Sequence, residues 1–352
     1  MSQPHVVSNR VRLYREGRGW SQAELARRAG VSRAAVSAIE IDRLVPSVAA
    51  ALALAAVFDC TVEALFGRSP AAVDEPEWAW DPPQTLCRYW QAQVSNRLVR
   101  YPVEAGATAI AHDGVYAHGA FTPRDGADPD STLVIASCDP ASALLAAEYG
   151  RATGFRLVVL PRSGRQALAL LGRGLVHAAG VHFATPDAPD ANVQAVHDAL
   201  GPGFRLVRVA DWQEGLAVAN GTRAATVTGT LRSSLRWVGR EPGSAARQCL
   251  DELRPARPAP RHVARDHRGV AEAVRAGWAD VGVCHRLAAE EAGLQFLPVR
   301  HEWFDLCYPA AAERDPRVEA LVRLVRSAGC RQLLGDLPGI DTCRAGEVRA
   351  AI

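Results

Sequence analysis

The sequence predicts a multidomain chain: an all-α five-helix domain, then a small β element, then a bilobed α/β domain. Three observations carry this expectation. Two short amphipathic stretches joined by a glycine lie between Ser21 and Glu40, a proline- and tryptophan-rich run spans 68–85, and from Ser131 onward β-rich runs alternate with alanine-rich helical ones. The last rhythm is that of parallel α/β sheets. The expected domains are therefore 1–67, a linker 68–85, a β subdomain 86–130, a bilobed domain 131–341 and a tail 342–352.

In the first domain, Val6 to Glu16 carries Val7, Val11 and Leu13 among arginines, which predicts a first helix ending near Gly17. Ser21 and Glu24 have capping-box spacing, so a second helix starts at Ser21, with Leu25, Ala26 and Ala29 as its apolar face. Gly30 supplies the left-handed residue that ends it. Ser32 then caps a third helix whose inner positions are Ala35, Val36 and Ile39. Its other face presents Arg33, Ala34 and Ser37, short or basic side chains that allow a helix to lie in a major groove and meet base edges. Pro46-Ser47 opens a fourth helix and Thr61 a short fifth ending at Phe66.

Asn9 to Phe66 resembles the Cro/C1-type (xenobiotic-response-element) helix-turn-helix family, on S-Q-x-E-L-A at Ser21 to Ala26, G-V-S-R at Gly30 to Arg33, Ile39-Glu40 and Pro46-Ser47. The resemblance implies that Gln22 holds a DNA phosphate, that Ser32, Arg33, Ala34 and Ser37 meet bases, and that Arg43 contacts the backbone. One departure stands out. The family usually has Asn-Gly after the third helix, and this chain has Ile41-Asp42, where a β-branched residue disfavours a left-handed turn.

Composition limits the alternatives. The chain has 352 residues, 48% hydrophobic and 22% charged, with a net charge of +2, too small for the whole protein to be a polyanion binder. All 40 basic residues are arginine, as in proteins encoded by GC-rich genomes, so arginine content alone says little about nucleic acid. The eight cysteines form no C-x-x-C pair, which argues against a zinc ribbon or a disulfide framework. No apolar run approaches the ~20 residues of a membrane helix, and the N-terminus lacks a signal-peptide core. The expected location is the cytoplasm.

Between 86 and 121, alternating runs such as Trp90 to Val94 and Arg97 to Tyr101 predict a small antiparallel sheet, read as a spacer or dimer element. Beyond it, strands are expected at Leu133 to Ala136, Arg156 to Leu160, Leu175 to Val181, Phe204 to Val209, Leu216 to Ala219, Arg236 to Val238 and Val281 to Cys284. Open α/β sheets bind ligands where strands lead into helices. Three such junctions stand out: Ser137-Cys138-Asp139-Pro140, Arg162-Ser163-Gly164, and Arg240 through Arg247 with Gly243, Ser244 and Ala245. A small hydroxyl or a glycine at each helix start admits a ligand close to the backbone. Equally, each could simply begin a helix.

Leu133 to Asp341 resembles the type 2 periplasmic-binding-protein-like domain in its molybdate-binding-related form. The markers include S-C-D-P-A at Ser137, A-G-V-H ending at His182, E-G-L-A-V-A at Glu214, R-E-P-G-S-A-A-R at Arg240, H-R-G-V at His267 and E-W-F-D-L through Asp305. The resemblance implies two lobes closing over a small ligand and a return of the chain to the first lobe after Phe296. The candidate ligand contacts are Ser137, Cys138, Asp139, Ser163, Gly164, His182, Gly243, Ser244, Ala245, Arg247 and Asp305. Where the family has G-S-G-T-R, this chain has Gly243-Ser244-Ala245-Ala246-Arg247, one glycine and one threonine hydroxyl short.

Enzyme signatures are missing: there is no G-x-S-x-G, no H-E-x-x-H, no P-loop lysine and no strand-borne G-x-G-x-x-G. No catalytic residue, metal site or cofactor is assigned; Cys284-His285 with His301 and Cys307 matches no zinc spacing. The reading is a ligand-responsive bacterial transcription regulator with operator DNA, a small anion such as molybdate or tungstate and a second copy of itself as partners, and no membrane. The alternatives are an enzyme using the cleft, or a constitutive DNA-binding protein whose large domain only dimerises.

Overall fold

The computed structural model describes residues 11–351 apart from 42, 59, 67–76, 84–85, 105–109, 224 and 256. It divides into two compact units, Met1–Glu75 and Pro76–Ile352.

The first unit holds α1 (Val11–Gly17), α2 (Gln22–Ala29), α3 (Arg33–Glu40), α4 (Val48–Phe58) and α5 (Val62–Phe66). The part of the expected first helix before Val11 lies outside the described residues. Ser21 Oγ accepts from the Glu24 N–H at 3.1 Å and Ser32 Oγ from the Ala35 N–H at 3.0 Å. The reciprocal half of the expected box does not form, because the Glu24 carboxylate turns to Arg27 and Arg28. Gly30 leaves α2 at φ +65°. Val11, Leu25, Val36, Ile39, Leu54, Phe58 and Leu65 close one core. Glu40 ties three helices together, accepting from Arg15 Nε at 2.6 Å and from Gln22 Nε2 at 2.8 Å.

The second unit begins with a five-stranded sheet: β1 (Glu77–Trp78), β2 (Cys87–Val94), β3 (Arg97–Pro102), β4 (Gly114–Ala117) and β5 (Ala120–Pro123), in the order β1-β3-β2-β4-β5. β1 pairs parallel with β3 and the other pairs are antiparallel. The sheet thus starts inside the stretch read as linker. Trp78 explains why, since its ring packs on Tyr116 and Phe121 at 5.3 and 5.7 Å. Ser95 and Asn96, at φ +48° and +65°, turn the β2–β3 hairpin. Trp90, Val99 and Tyr101 share a core with Val134, Leu171 and Leu175 of the α/β domain that follows. Arg156 fixes the joint, gripping both oxygens of Asp113 at 2.5 and 2.7 Å.

The larger sheet follows. Its first lobe runs β6 (Thr132–Ser137), α6 (Ser142–Thr153), β7 (Arg156–Pro161), α7 (Gly164–Gly172), β8 (Ala178–Ala184) and α8 (Ala191–Leu200). β9 (Phe204–Val218) crosses to a second lobe of α9 (Val227–Arg232), β10 (Trp237–Arg240), α10 (Ala245–Leu253), β11 (His262–Ala264), α11 (His267–Arg275), β12 (Val281–His285) and α12 (Arg286–Glu291). β13 (Gln295–Pro309) crosses back, and α13 (Pro316–Arg326), α14 (Ala328–Gly335), β14 (Ile340–Asp341) and β15 (Val348–Ala351) return to the first lobe. Strand order is β11-β10-β12-β9-β13-β8-β6-β7, with β14 and β15 paired to β9.

Each lobe is internally parallel, as the alternation predicts, yet the sheet as a whole is mixed. The difference lies in the crossings. Phe204 to Val209 and Leu216 to Ala219, expected as separate strands, belong to one 15-residue strand, and β13 is equally long and antiparallel to it. Residues 210–215 are half polar and read as a break, but Trp212 and Glu214 are buried, so the strand continues through them. At roughly 3.3 Å per residue such a strand spans both lobes.

Candidate functional site

In the first unit, Ser32, Arg33, Ala34 and Arg43 are exposed and Ser37 is half-buried. Arg33 and Ala34 lie in the first turn of α3, the part of a helix that reaches deepest into a groove. Gln22, whose amide donates to Glu40, stands half-buried at the start of α2. Ile41 ends α3 at φ −111°, on the right-handed side, and Asp42 lies outside the described residues.

In the second unit, strands of both lobes end at one seam. After β6, Ser137 Oγ accepts from the Asp139 N–H at 3.1 Å, and Asp139 Oδ1 accepts from the Ala141 N–H at 2.8 Å. Burial pushes the Asp139 carboxyl up to about 6. Across the seam, Arg268 donates to the Pro140 carbonyl at 2.9 Å, and Gly243 packs against Arg165 of α7. The lobes are therefore in contact.

Behind this loop lies a buried cluster of polar side chains. Cys138 Sγ is 3.1 Å from His182 Nε2, and His182 Nδ1 is 2.6 Å from Glu302 Oε2. Arg300 Nε donates to the other oxygen of Glu302 at 2.8 Å and Arg300 Nη2 lies 3.2 Å from Glu214. Burial, and then the neighbouring Glu302, hold the Glu214 carboxyl well above the usual range, and burial raises Glu302 as well. Trp212 forms the floor, with ring centroids 4.7 Å from His182 and 4.9 Å from His285.

The two remaining histidines have their tautomers set by the backbone. His267 Nδ1 accepts from the His285 N–H at 3.1 Å, and His285 Nδ1 accepts from the Leu287 N–H at 2.9 Å. Burial pushes His285 down to about 3 and His267 well below its ordinary value, aided at His267 by Arg240. Both rings are neutral at physiological pH, with the proton on Nε2. Neither Nε2–H has a partner, and neither does Arg240 Nη1, all of them buried. Unpaired buried donors are costly. Here Arg240, His267 and His285 supply them at the ends of β10, β11 and β12.

Cys138, His182 and His267 also bring one potential metal-ligating atom each within 4.8 Å of one another. His182 and Cys138 suit a metal, since a ligating histidine commonly gives its other N–H to a carboxylate. His267 does not. One of its nitrogens has its lone pair taken by the His285 N–H and the other carries the proton, so neither is free to ligate.

Of the other expected contacts, Ser163 and Gly164 start α7 at the seam, and Gly164 packs on the Phe183 ring. Ser244 caps α10, accepting from the Arg247 N–H at 3.2 Å and donating to the Glu241 carbonyl at 3.0 Å. Ala245 is buried behind it, and Arg300 donates to its carbonyl at 3.1 Å. Gly243 and Arg247 line an outer cavity of about 510 Å³ with Arg165, and Arg247 is paired to Asp251 at 2.8 Å. Asp305 lies in the first lobe, held by Arg208 Nε at 2.5 Å and Asn192 Nδ2 at 2.7 Å, and keeps no oxygen for a ligand. Arg240 opens one of the three expected junctions without being named as a ligand contact, and Trp212, Glu214, His267, His285, Arg300 and Glu302 were not expected here. Four of these stand at the first residues of motifs already visible in the sequence, R-E-P-G, E-G-L-A, H-R-G-V and E-W-F-D, and His285 directly follows the expected strand Val281 to Cys284.

The profile of the PBP superfamily domain matches residues 146–326, about half of the chain. The chain belongs to the PBP superfamily. A helix-turn-helix profile matches residues 11–65. This PBP-superfamily chain is 28% identical over 158 residues to the uncharacterized protein YvgK of Bacillus subtilis (strain 168), covering 42% of the chain and 50% of that protein. It thus spans about half the length of that relative. Among solved structures, it is similar to a putative phosphate ABC transporter substrate-binding protein with bound phosphate from Clostridium perfringens (TM-score 0.47, 10% identity, 58% of this chain and 96% of that one). It is also similar to a binding-protein component of an ABC phosphonate transporter from Pseudomonas aeruginosa (TM-score 0.43, 12% identity, 62% and 81%). A Corynebacterium glutamicum OxyR C206 mutant matches with TM-score 0.40 and 14% identity over 54% and 61%.

The two profiles fall on separate units, residues 11–65 in the first and 146–326 in the second. Among the described residues, no helix is long and apolar enough to cross a membrane.

Proposed function

We propose that this protein is a transcription regulator that binds operator DNA through its helix-turn-helix unit and a small anion in the seam between its lobes. One observation carries the ligand reading: Arg240 Nη1, His267 Nε2 and His285 Nε2 are buried donors without acceptors. A small oxyanion such as molybdate or tungstate supplies several acceptor oxygens and a negative charge opposite the Arg240 guanidinium. Ser137, Cys138, Asp139, Ser163 and Gly164 on one lobe, with His182 behind them, then face Arg240 and the Ser244–Ala245 helix start on the other. Ligand binds the closed arrangement more tightly than an open one, and that differential affinity shifts the population towards closure. Calorimetry against a panel of oxyanions and small organic acids tests this: micromolar or tighter binding of an anion is expected, and binding of neutral compounds alone overturns it.

On the DNA side, Ser32, Arg33, Ala34 and Ser37 read bases, while Gln22 and Arg43 hold phosphates. A second copy completes the contact, because one such unit reads a half-site and two-fold symmetry doubles it. Exposed Val45, Val48 and Leu52 at the start of α4 offer apolar surface for that copy. Sedimentation of the protein on its operator checks this, with one protomer per site counting against the dimer.

A further inference from the structure

We infer that Cys138 is a nucleophilic thiol of the ligand seam, with His182 as its base, and that it is a site of covalent modification by a small anionic electrophile. The inference rests on the anion reading above for the charge of the reagent, and on separate geometry for the thiol.

The geometry is a three-residue relay. Glu302 accepts from His182 Nδ1, which leaves the Nε2 lone pair facing Cys138 Sγ at 3.1 Å. A thiol in hydrogen-bond reach of an imidazole, itself oriented by a third group, is the recurring arrangement of an activated nucleophile. The carboxylate favours the imidazolium that forms when the thiol proton moves. Glu302 is itself steadied by Arg300, and the stacked Trp212 and Phe304 rings, 4.5 Å apart, limit the tilt of His182. Cys138 and His182 are 5% and 1% exposed, so water scarcely competes for the proton.

Cys249, Cys284 and Cys307 are buried without a base, and burial pushes each thiol up. Cys343 is exposed and beside Asp341, which also pushes its thiol up. A purely structural Cys138 would need neither the carboxylate behind His182 nor the arginine behind that carboxylate. A metal centre would need a free lone pair on His267, and the His285 N–H takes the one available.

The chemistry balances without a co-reactant. The thiol proton passes to His182 Nε2, a sulfur–carbon bond forms at the electrophilic carbon, and the bond to the leaving group breaks with its electron pair. Arg240 sits within electrostatic reach of Cys138, so the neighbouring donors select an electrophile that carries negative charge.

Labelling of the full chain at neutral pH by iodoacetate and by iodoacetamide, with each cysteine quantified by mass spectrometry, tests both parts. In the substitution, iodide leaves as the sulfur–carbon bond forms. Cys138 is expected to react at least tenfold faster than Cys343 and to prefer iodoacetate. His182→Ala is expected to slow it about a hundredfold, and Glu302→Gln, which keeps the size of this positioning residue, to displace the pH profile of the rate. Reaction at Cys138 no faster than at Cys343 with either reagent overturns the inference, as does stoichiometric Co²⁺ uptake with a thiolate–cobalt absorption band lost in Cys138→Ser. Fast labelling without preference for iodoacetate supports the thiol and overturns the anion reading. Anion binding by calorimetry with an unreactive Cys138 does the reverse.

Discussion

The backbone N–H of His285 donates to His267 Nδ1 at 3.1 Å, and this bond settles which ring nitrogen of His267 carries a proton. With Leu287 doing the same for His285, the seam holds two neutral imidazoles that act as donors. Long-range ¹H–¹⁵N spectra are expected to show both as the Nε2–H tautomer throughout pH 5 to 8. A ring that titrates within that window would show that burial does not hold it neutral.

Arg240 and Arg247 separate the inner from the outer arginine of the same junction. Arg240→Met removes an unpaired buried donor and is expected to weaken anion binding about 10- to 100-fold, the range for a hydrogen bond to a charged group. Arg247→Met is expected to leave affinity within about twofold, because Arg247 is spent on Asp251 at 2.8 Å. Calorimetry on both variants measures the contrast.

Asp139 couples stability to pH. Its carboxyl, raised by burial from 3.8 to about 6, favours the protonated form when folded. The contribution is fully present below about pH 4 and is lost as pH rises through 6, at most about 3 kcal/mol by linkage. Asp139→Asn keeps an acceptor for the Ala141 N–H and is expected to raise stability at pH 7 to 8 by about 1–3 kcal/mol while leaving pH 4 nearly unchanged. Urea melts at the two pH values check it.

Gly180 has no room for a side chain. A Cβ there would lie 2.6 Å from Ser137 Oγ and 2.8 Å from the Phe304 ring. Gly180→Ala is expected to cost about 1–3 kcal/mol and to weaken the ligand by displacing the Ser137–Asp139 loop. Unchanged stability would mean that the loop yields freely.

On DNA, Arg33→Ala is expected to cost about 1–3 kcal/mol and to relax specificity at one base pair. Gel-shift titrations over a set of operator variants distinguish that from a uniform loss, which would make Arg33 a phosphate contact.

The helix-turn-helix was legible because its signals are local: the Ser21 and Ser32 caps and Gly30 sit next to what they control. The lobes were legible for a similar reason, through strand–helix alternation. The polar cluster was not. Cys138 and His182 are 44 positions apart, and His182 and Glu302 are 120 apart, so no window of sequence contains the relay. Asp305 shows the converse: three positions beyond Glu302 and across the register shift between Phe304 and Asp305, it is committed to Arg208 and not to the seam.

The two long strands joining the lobes carry one further consequence. β13 slips register against β9 between Pro298 and Arg300 and again between Phe304 and Asp305, and Arg300 and Glu302 lie between the two slips. A strand bends and twists locally where its ladder falls out of step. The carboxylate that orients His182 is therefore carried by the ribbon that joins the lobes, and on the proposed closure a change in lobe spacing is expected to alter the reactivity of the thiol together with the affinity for the ligand.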